Sequence, residues 1–321
     1  MKRNNCLNLL KFVACFGVVF IHVPFPGIFG EIIKYLSGFS VPLFFMISGY
    51  YSYGCDYKKI KSKLIKILKI LLFTYILYLF YNIIMSIKNS DFPGWLIRYY
   101  NFHNIILSIV FCTIWWAIPL WYLIAMSEVY LVWMIVVKKG LQSKFTSFTF
   151  VLLLLELILT IYVDSVGINW YYKTNFICRA MSWFMLGYLI KEKYENKLDK
   201  ISNIKLLCVV FLGSFIILSF IFFKPTINYS CLGLLFISPA LFLIGIKNPD
   251  IKINKFIEFI GDKLSMYIYI FHLIISWLII SRIKLFGINI DGIYSYIHPI
   301  FTLIATILIS SIFYFILKKR K

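Results

Sequence analysis

Lys11 and His22 stand eleven positions apart in the first apolar run of the chain, LNLLKFVACFGVVFIH. A helix turns 100° and rises 1.5 Å per residue, so this spacing sets them on one face, about 20° apart in direction and roughly 16 Å apart in height. That face would carry a fixed cation for an anionic ligand and, above it, an imidazole able to take and return a proton near neutral pH. The same spacing also suits a lysine reaching to one headgroup layer and a histidine resting at the other.

Four more ionisable residues interrupt apolar runs: Glu128 in LWYLIAMSEVY, Glu156 in LLLLELIL, Arg179 in CRAMSWFMLGYL and His272 in GDKLSMYIYIFH. Charge in hydrocarbon is costly, so each is a candidate for function, with Glu128 or Glu156 expected to pair with Lys11 or Arg179. His272 suits either an interhelical hydrogen bond or a catalytic role. In VPLFFMISGYY, Ser48 and Gly49 suit close helix packing or the approach of a cofactor to the backbone. Beyond them, Lys59, Lys63, Lys66 and Lys69 fall within an arc of about 120° on a continuous helix. Such a face suits a polyphosphate or an anionic lipid surface.

These residues must be positioned by membrane helices. The 321 residues are 61% hydrophobic and only 14% charged, too few polar groups to cover a soluble core of this size. That excludes a secreted or cytosolic globular enzyme and a disordered regulator. Ten segments read as spans: 6–23, 35–53, 64–87, 117–137, 147–163, 174–190, 204–223, 229–246, 264–283 and 295–317. The first has the basic start of a signal peptide but no small-residue cleavage site, so it is read as a mature helix. The run 104–114 is too short to span, and lies at the interface or re-enters. No segment between the spans suggests a soluble domain, so 1–321 reads as a single transmembrane domain, an all-α bundle of about ten helices.

The net charge of +20 would suggest nucleic-acid binding in a soluble protein. Here it sorts by side. With both termini placed in the cytoplasm, 24 of the 33 Lys and Arg residues fall inside, including Lys2, Arg3, Arg320 and Lys321. The seven cysteines form no C-x-x-C pair and imply neither a disulfide framework nor a metal site. The outer rim is rich in aromatics, with Trp95, Trp115, Trp116, Trp121, Trp170, Tyr171 and Tyr172. They suit an interfacial belt or a surface for sugar rings.

The chain resembles the membrane acyltransferase-3 family. Four pieces carry the resemblance in the family's order: Leu7 to His22, Val41 to Tyr51 with the basic stretch after it, PLWYLIAM from Pro119 to Met126, and Gly261 to His272. RAMSWFMLGYLI, Arg179 to Ile190, is a weaker fifth. The resemblance implies a membrane enzyme taking an acyl group, usually acetyl, from cytoplasmic acyl-CoA and delivering it to a hydroxyl, most often on a glycan at the outer face. It gives His22 the catalytic role and Lys11 a role in donor binding. The family most often has Arg where this chain has Lys11, and commonly Arg and a following Pro in the basic stretch, which here is all Lys.

On this reading acetyl-CoA or another acyl-CoA is the donor, with no metal, and His22 is a general base or an acyl carrier. Arg179 and Glu128 complete the catalytic set, and Lys11, Ser48, Gly49, Lys59, Lys63 and Lys66 hold the donor. Trp116, Trp121 and Tyr122 contact the acceptor. Expected partners are membrane lipid, an outer-face glycan and glycan-assembly proteins, in the cytoplasmic membrane of a bacterium. Two other classes fit the same bundle: a transporter routing a small molecule or lipid-linked sugar past Lys11, Glu128, Glu156 and Arg179, and a scaffold for glycan assembly. A transporter would release no CoA, and a scaffold would tolerate loss of His22 and Lys11.

Overall fold

The computed structural model describes residues 4–285 and 292–319, so Lys2, Arg3, Arg320 and Lys321 of the charge argument lie outside the described residues. Regular structure among them is helical throughout. In chain order the α-helices are α1 (Asn5–His22), α2 (Gly27–Leu36), α3 (Ser40–Tyr50), α4 (Tyr57–Lys88), α5 (Phe92–Tyr99), α6 (Phe102–Val110), α7 (Leu120–Lys138) and α8 (Gln142–Thr146). There follow α9 (Thr149–Val166), α10 (Ser182–Leu189), α11 (Asn203–Phe223), α12 (Ser230–Lys247), α13 (Lys255–Phe259), α14 (Ser265–Leu285) and α15 (Ile293–Lys319).

Nine helical stretches among the described residues are long and apolar enough to cross a membrane. Large apolar side chains stay exposed along them, such as Leu72 and Phe80 on α4, Phe211 and Phe215 on α11 and Leu308 on α15. A surface of this kind is stable only against lipid. The expected span 174–190 is helical but of mixed kind: a π-helix over Phe176–Met181, then α10, then a second π-helix over Ile190–Tyr194. The apolar run 104–114 corresponds to α6, too short to span, followed by a turn at Phe111 to Thr113.

The helices divide between two compact units, one formed by Met1–Phe44 with Asn196–Lys321 and the other by Phe45–Glu195. In the first, the Asn4 side chain caps α1 by accepting from the Leu7 backbone N–H at 2.8 Å. The chain leaves helical geometry at Val23, the residue before Pro24, as the proline ring requires. The core joins Cys15 and Val19 of α1 to Ile260, Leu264, Ile268 and Leu303. At the start of α1 the chain before α14 comes against it without a side chain between: a Cβ on Gly261 would lie 1.9 Å from the Asn8 carbonyl oxygen. On α11 and α12, Gly213 and Gly233 face one another in the same way, each with its added Cβ within 2.6 Å of the other's carbonyl oxygen.

In the second unit α4 packs along α7. The Asp56 side chain caps α4 by accepting from the Lys59 backbone N–H at 2.9 Å. Asn82 on α4 donates its side-chain N–H to the Trp116 carbonyl at 3.1 Å, fixing the irregular segment ahead of α7. α3 and α10 meet backbone to backbone. A Cβ on Gly49 would lie 1.8 Å from the Phe184 carbonyl oxygen, and one on Gly187 would lie 2.0 Å from that of Met46.

Candidate active site

His22 is the last residue of α1, partly exposed, near the helix's unpaired carbonyls. Its ring centroid lies 5.2 Å from that of His272 on α14, with the planes tilted by 41°. His272 is fully buried. Its Nδ1 lies 2.8 Å from the Tyr269 carbonyl oxygen and 3.3 Å from that of Ile268, the carbonyls of the preceding turn. About three turns below His22, Lys11 is half-buried and donates to the Asn8 side-chain oxygen at 3.4 Å. Asn8, one turn earlier on the same face, was missed by the sequence reading, although its i, i+3 spacing to Lys11 was there to be read. Nearby in sequence to Gly261, Asp262 and Lys263 pair at 2.8 Å. Two of the expected site residues, His22 and His272, therefore meet, and Lys11 shares their unit.

In the second unit the charged residues sort into pairs. Glu156 forms an ion pair with Arg179, Oε1 to Nη1 3.4 Å, with side-chain exposures of 8% and 18%, so the pair is largely shielded. The Ser182 hydroxyl also donates to Glu156 at 3.4 Å. Arg179 rides on the π-helix Phe176–Met181, whose first turn is capped by the Asn175 side chain. Glu128 instead accepts from the Cys112 thiol at 3.1 Å. Cys112 is buried with φ 55, a left-handed conformation rare for a residue with a Cβ. Burial, with the Glu128 carboxylate second, pushes this thiol up from its ordinary range. Nothing in the sequence pointed to Cys112, which lies outside any helical period.

The basic face of α4 divides. Lys59, Lys66 and Lys69 are exposed. Lys63 is partly buried and donates to the Tyr51 carbonyl at 2.6 Å and the Ser52 hydroxyl at 3.0 Å, which ties α4 to the end of α3. Gly49 is closed off by the Phe184 carbonyl, so its missing side chain serves helix packing. Ser48 reaches the hydroxyls of Tyr122 and Tyr130 by hydrogen bonds. A second network near Tyr50 was not anticipated: its hydroxyl donates to Glu195 at 2.5 Å, and Lys191 donates to the same carboxylate at 2.5 Å.

Trp116, Trp121 and Tyr122, expected to contact the acceptor, are buried against protein, while Trp115 and Trp170 are partly buried and Tyr172 is exposed. Trp116 packs on Tyr75, Trp95 and Tyr100, with centroids 5.1, 6.0 and 6.1 Å away. Trp121 and Tyr122 pack on Phe45 at 6.3 and 4.8 Å. Trp115 meets Trp170 and Tyr171 edge-on at 6.3 and 5.2 Å.

A family model described as an acyltransferase domain, the acyltransferase-3 model, matches residues 4–316. The chain belongs to the acyltransferase-3 family. No curated protein and no solved structure matches it. This member of the family is thus a membrane acyltransferase whose match runs from the cap of α1 into the last helix, and includes His22, His272, Lys11 and the Glu156–Arg179 pair.

Proposed function

We propose that this acyltransferase moves an acyl group, acetyl in the first instance, from cytoplasmic acyl-CoA to a hydroxyl of a cell-surface glycan or its lipid-linked precursor, in the cytoplasmic membrane of a bacterium. The observation that carries the reading is the family match over 4–316 together with an imidazole, His22, at the end of the helix that also bears Lys11. His22 takes the hydroxyl proton as the oxygen attacks the thioester carbonyl. The tetrahedral intermediate then expels the CoA sulfur, the C–S bond breaks, and the imidazolium returns its proton to the leaving thiolate. Within the same unit Lys11 supplies a cation on the His22 face for the donor's anionic part. In the other unit the exposed Lys59 and Lys66 are cations suited to the CoA phosphates.

The test uses the purified protein with radiolabelled acetyl-CoA and a cell-envelope fraction, and mass spectrometry of surface glycans from cells with and without the protein. Acetyl transfer with release of CoA is expected, and His22→Ala at equal protein level should abolish it. Retained transfer by His22→Ala would remove the histidine from the reaction. No CoA release from the wild type would favour a transporter or scaffold.

A further inference from the structure

The Nε2 atom of His272 is buried with no hydrogen-bond partner among the described residues. Its ring is completely shielded, so no bulk water satisfies that nitrogen. The other nitrogen settles the tautomer. Nδ1 faces two backbone carbonyl oxygens, at 2.8 and 3.3 Å, and carbonyls only accept, so Nδ1 carries the hydrogen. In the neutral ring Nε2 is then a bare lone pair. Buried polar groups of this kind are nearly always paired, and an exception calls for a reason.

The ring beside it supplies one. His22 lies 5.2 Å away, centroid to centroid. An imidazole N–H is the donor this lone pair lacks. Resting on the reading of His22 as the reacting base, we propose that His272 is a positioning residue for it. Unpaired in this structure, its Nε2 accepts the N–H of His22 once that ring turns towards it, which fixes the His22 tautomer and leaves the opposite His22 nitrogen unprotonated towards the acceptor hydroxyl. When His22 takes the hydroxyl proton, both its nitrogens carry hydrogen, and the bond to His272 becomes charge-assisted and stronger. His272 gains and loses no proton in this scheme; its own hydrogen stays on Nδ1, held by the Tyr269 and Ile268 carbonyls.

The scaffold holds the two rings in register. The chain leading into α14 is pressed against α1 at Gly261, where the Asn8 carbonyl leaves no room for a Cβ. Further along, Leu264 and Ile268 share a core with Cys15 and Val19. His272 follows one turn after Ile268, and His22 about one turn after Val19. A base oriented by a second group on a rigid element is the arrangement that holds a proton-transfer geometry. A histidine serving only to join helices would have its outer nitrogen paired, and this one does not.

The experiment measures initial rates of radiolabelled acetyl transfer from acetyl-CoA into a cell-envelope fraction, as a function of acetyl-CoA concentration. His272→Leu should lower the maximal rate by about 10–100-fold, the size of effect typical when an orienting partner is lost, with KM for acetyl-CoA unchanged. His272→Gln places an acceptor oxygen near the position of Nε2 and should restore most of the rate. His272→Asn places its amide on the Nδ1 side and should not. A His272→Leu rate equal to the wild type, or equal rates for the Gln and Asn variants, would overturn the proposal. Should His272→Leu fail to yield folded protein by size exclusion in detergent, the Gln and Asn pair decides alone. These outcomes are separate from the parent reading, which fails if the wild type transfers no acetyl or if His22→Ala is fully active.

Discussion

Glu156 on α9 and Arg179 on the π-helix ahead of α10 form a shielded ion pair, 3.4 Å from Oε1 to Nη1. The pair joins two elements of one unit, and Arg179 Nε has no partner of its own among the described residues. Removing one member leaves the other charge buried and uncompensated. Glu156→Leu alone should therefore destabilise by about 3–5 kcal/mol, while the double variant with Arg179→Leu should cost markedly less. Thermal unfolding in detergent checks the order. Acetyl transfer by the double variant then separates roles: a folded but inactive protein assigns Arg179 to the reaction, and a folded active one confines the pair to structure.

The close crossing of α3 and α10 gives a second expectation. At Gly49 and Gly187 the added methyl would meet backbone oxygen, which cannot swing aside. Gly49→Ala and Gly187→Ala should each destabilise by about 1–3 kcal/mol, the usual cost of overpacking. KM for acetyl-CoA in the folded fraction should stay at the wild-type value. A raised KM with unchanged stability would instead return Gly49 to donor contact.

Much of this architecture was legible because hydrocarbon imposes length and polarity on a helix. The span 6–23 that becomes α1 follows from its apolar run, and the face shared by Lys11 and His22 follows from helical period alone. The pairings did not follow. His272 lies 250 positions from His22, and no local pattern encodes which distant helix a ring will meet. Glu128 and Glu156 looked alike, each a carboxylate within an apolar run. Only the turn that brings Cys112 round in a left-handed conformation, and the π-helix that carries Arg179, gave them different partners. The mixed helix over 174–190 was invisible for the same reason: its composition reads as a span, and the change of helical pitch is set by packing. Gly49 and Lys63 carried two readings each, and their neighbours, the Phe184 and Tyr51 carbonyls, favour packing and tethering.

The basic face of α4 should split in function as it splits in contacts. Lys59→Glu combined with Lys66→Glu is expected to raise KM for acetyl-CoA up to about tenfold at low ionic strength, with little change in stability, because exposed charges of this kind are worth at most about 1 kcal/mol each. The effect should shrink as salt is added. Lys63→Met should do the reverse, destabilising by about 1–2 kcal/mol through loss of its bonds to Tyr51 and Ser52. Titrations of acetyl-CoA at two salt concentrations, alongside unfolding curves, distinguish the two. Equal KM for the double variant and the wild type would leave Lys59 and Lys66 as topology signals.

Cys112 supplies an alkaline expectation whose sign can be worked through. Its thiol is raised first by burial and then by the Glu128 carboxylate, so at moderately alkaline pH the folded protein keeps a proton that the unfolded chain has released. Folding is then favoured in full below the ordinary thiol pKa near 8.5, and loses stability as pH climbs above it. Labelling with N-ethylmaleimide at pH 8, followed by mass spectrometry, should leave Cys112 largely unmodified in the folded protein and modify it quickly once unfolded. Glu128→Gln removes the smaller of the two causes and should raise the labelling rate only a few-fold, within about tenfold of the wild type. A rate matching that of the unfolded chain would mean that the carboxylate, and not burial in the turn between α6 and α7, keeps this thiol protonated.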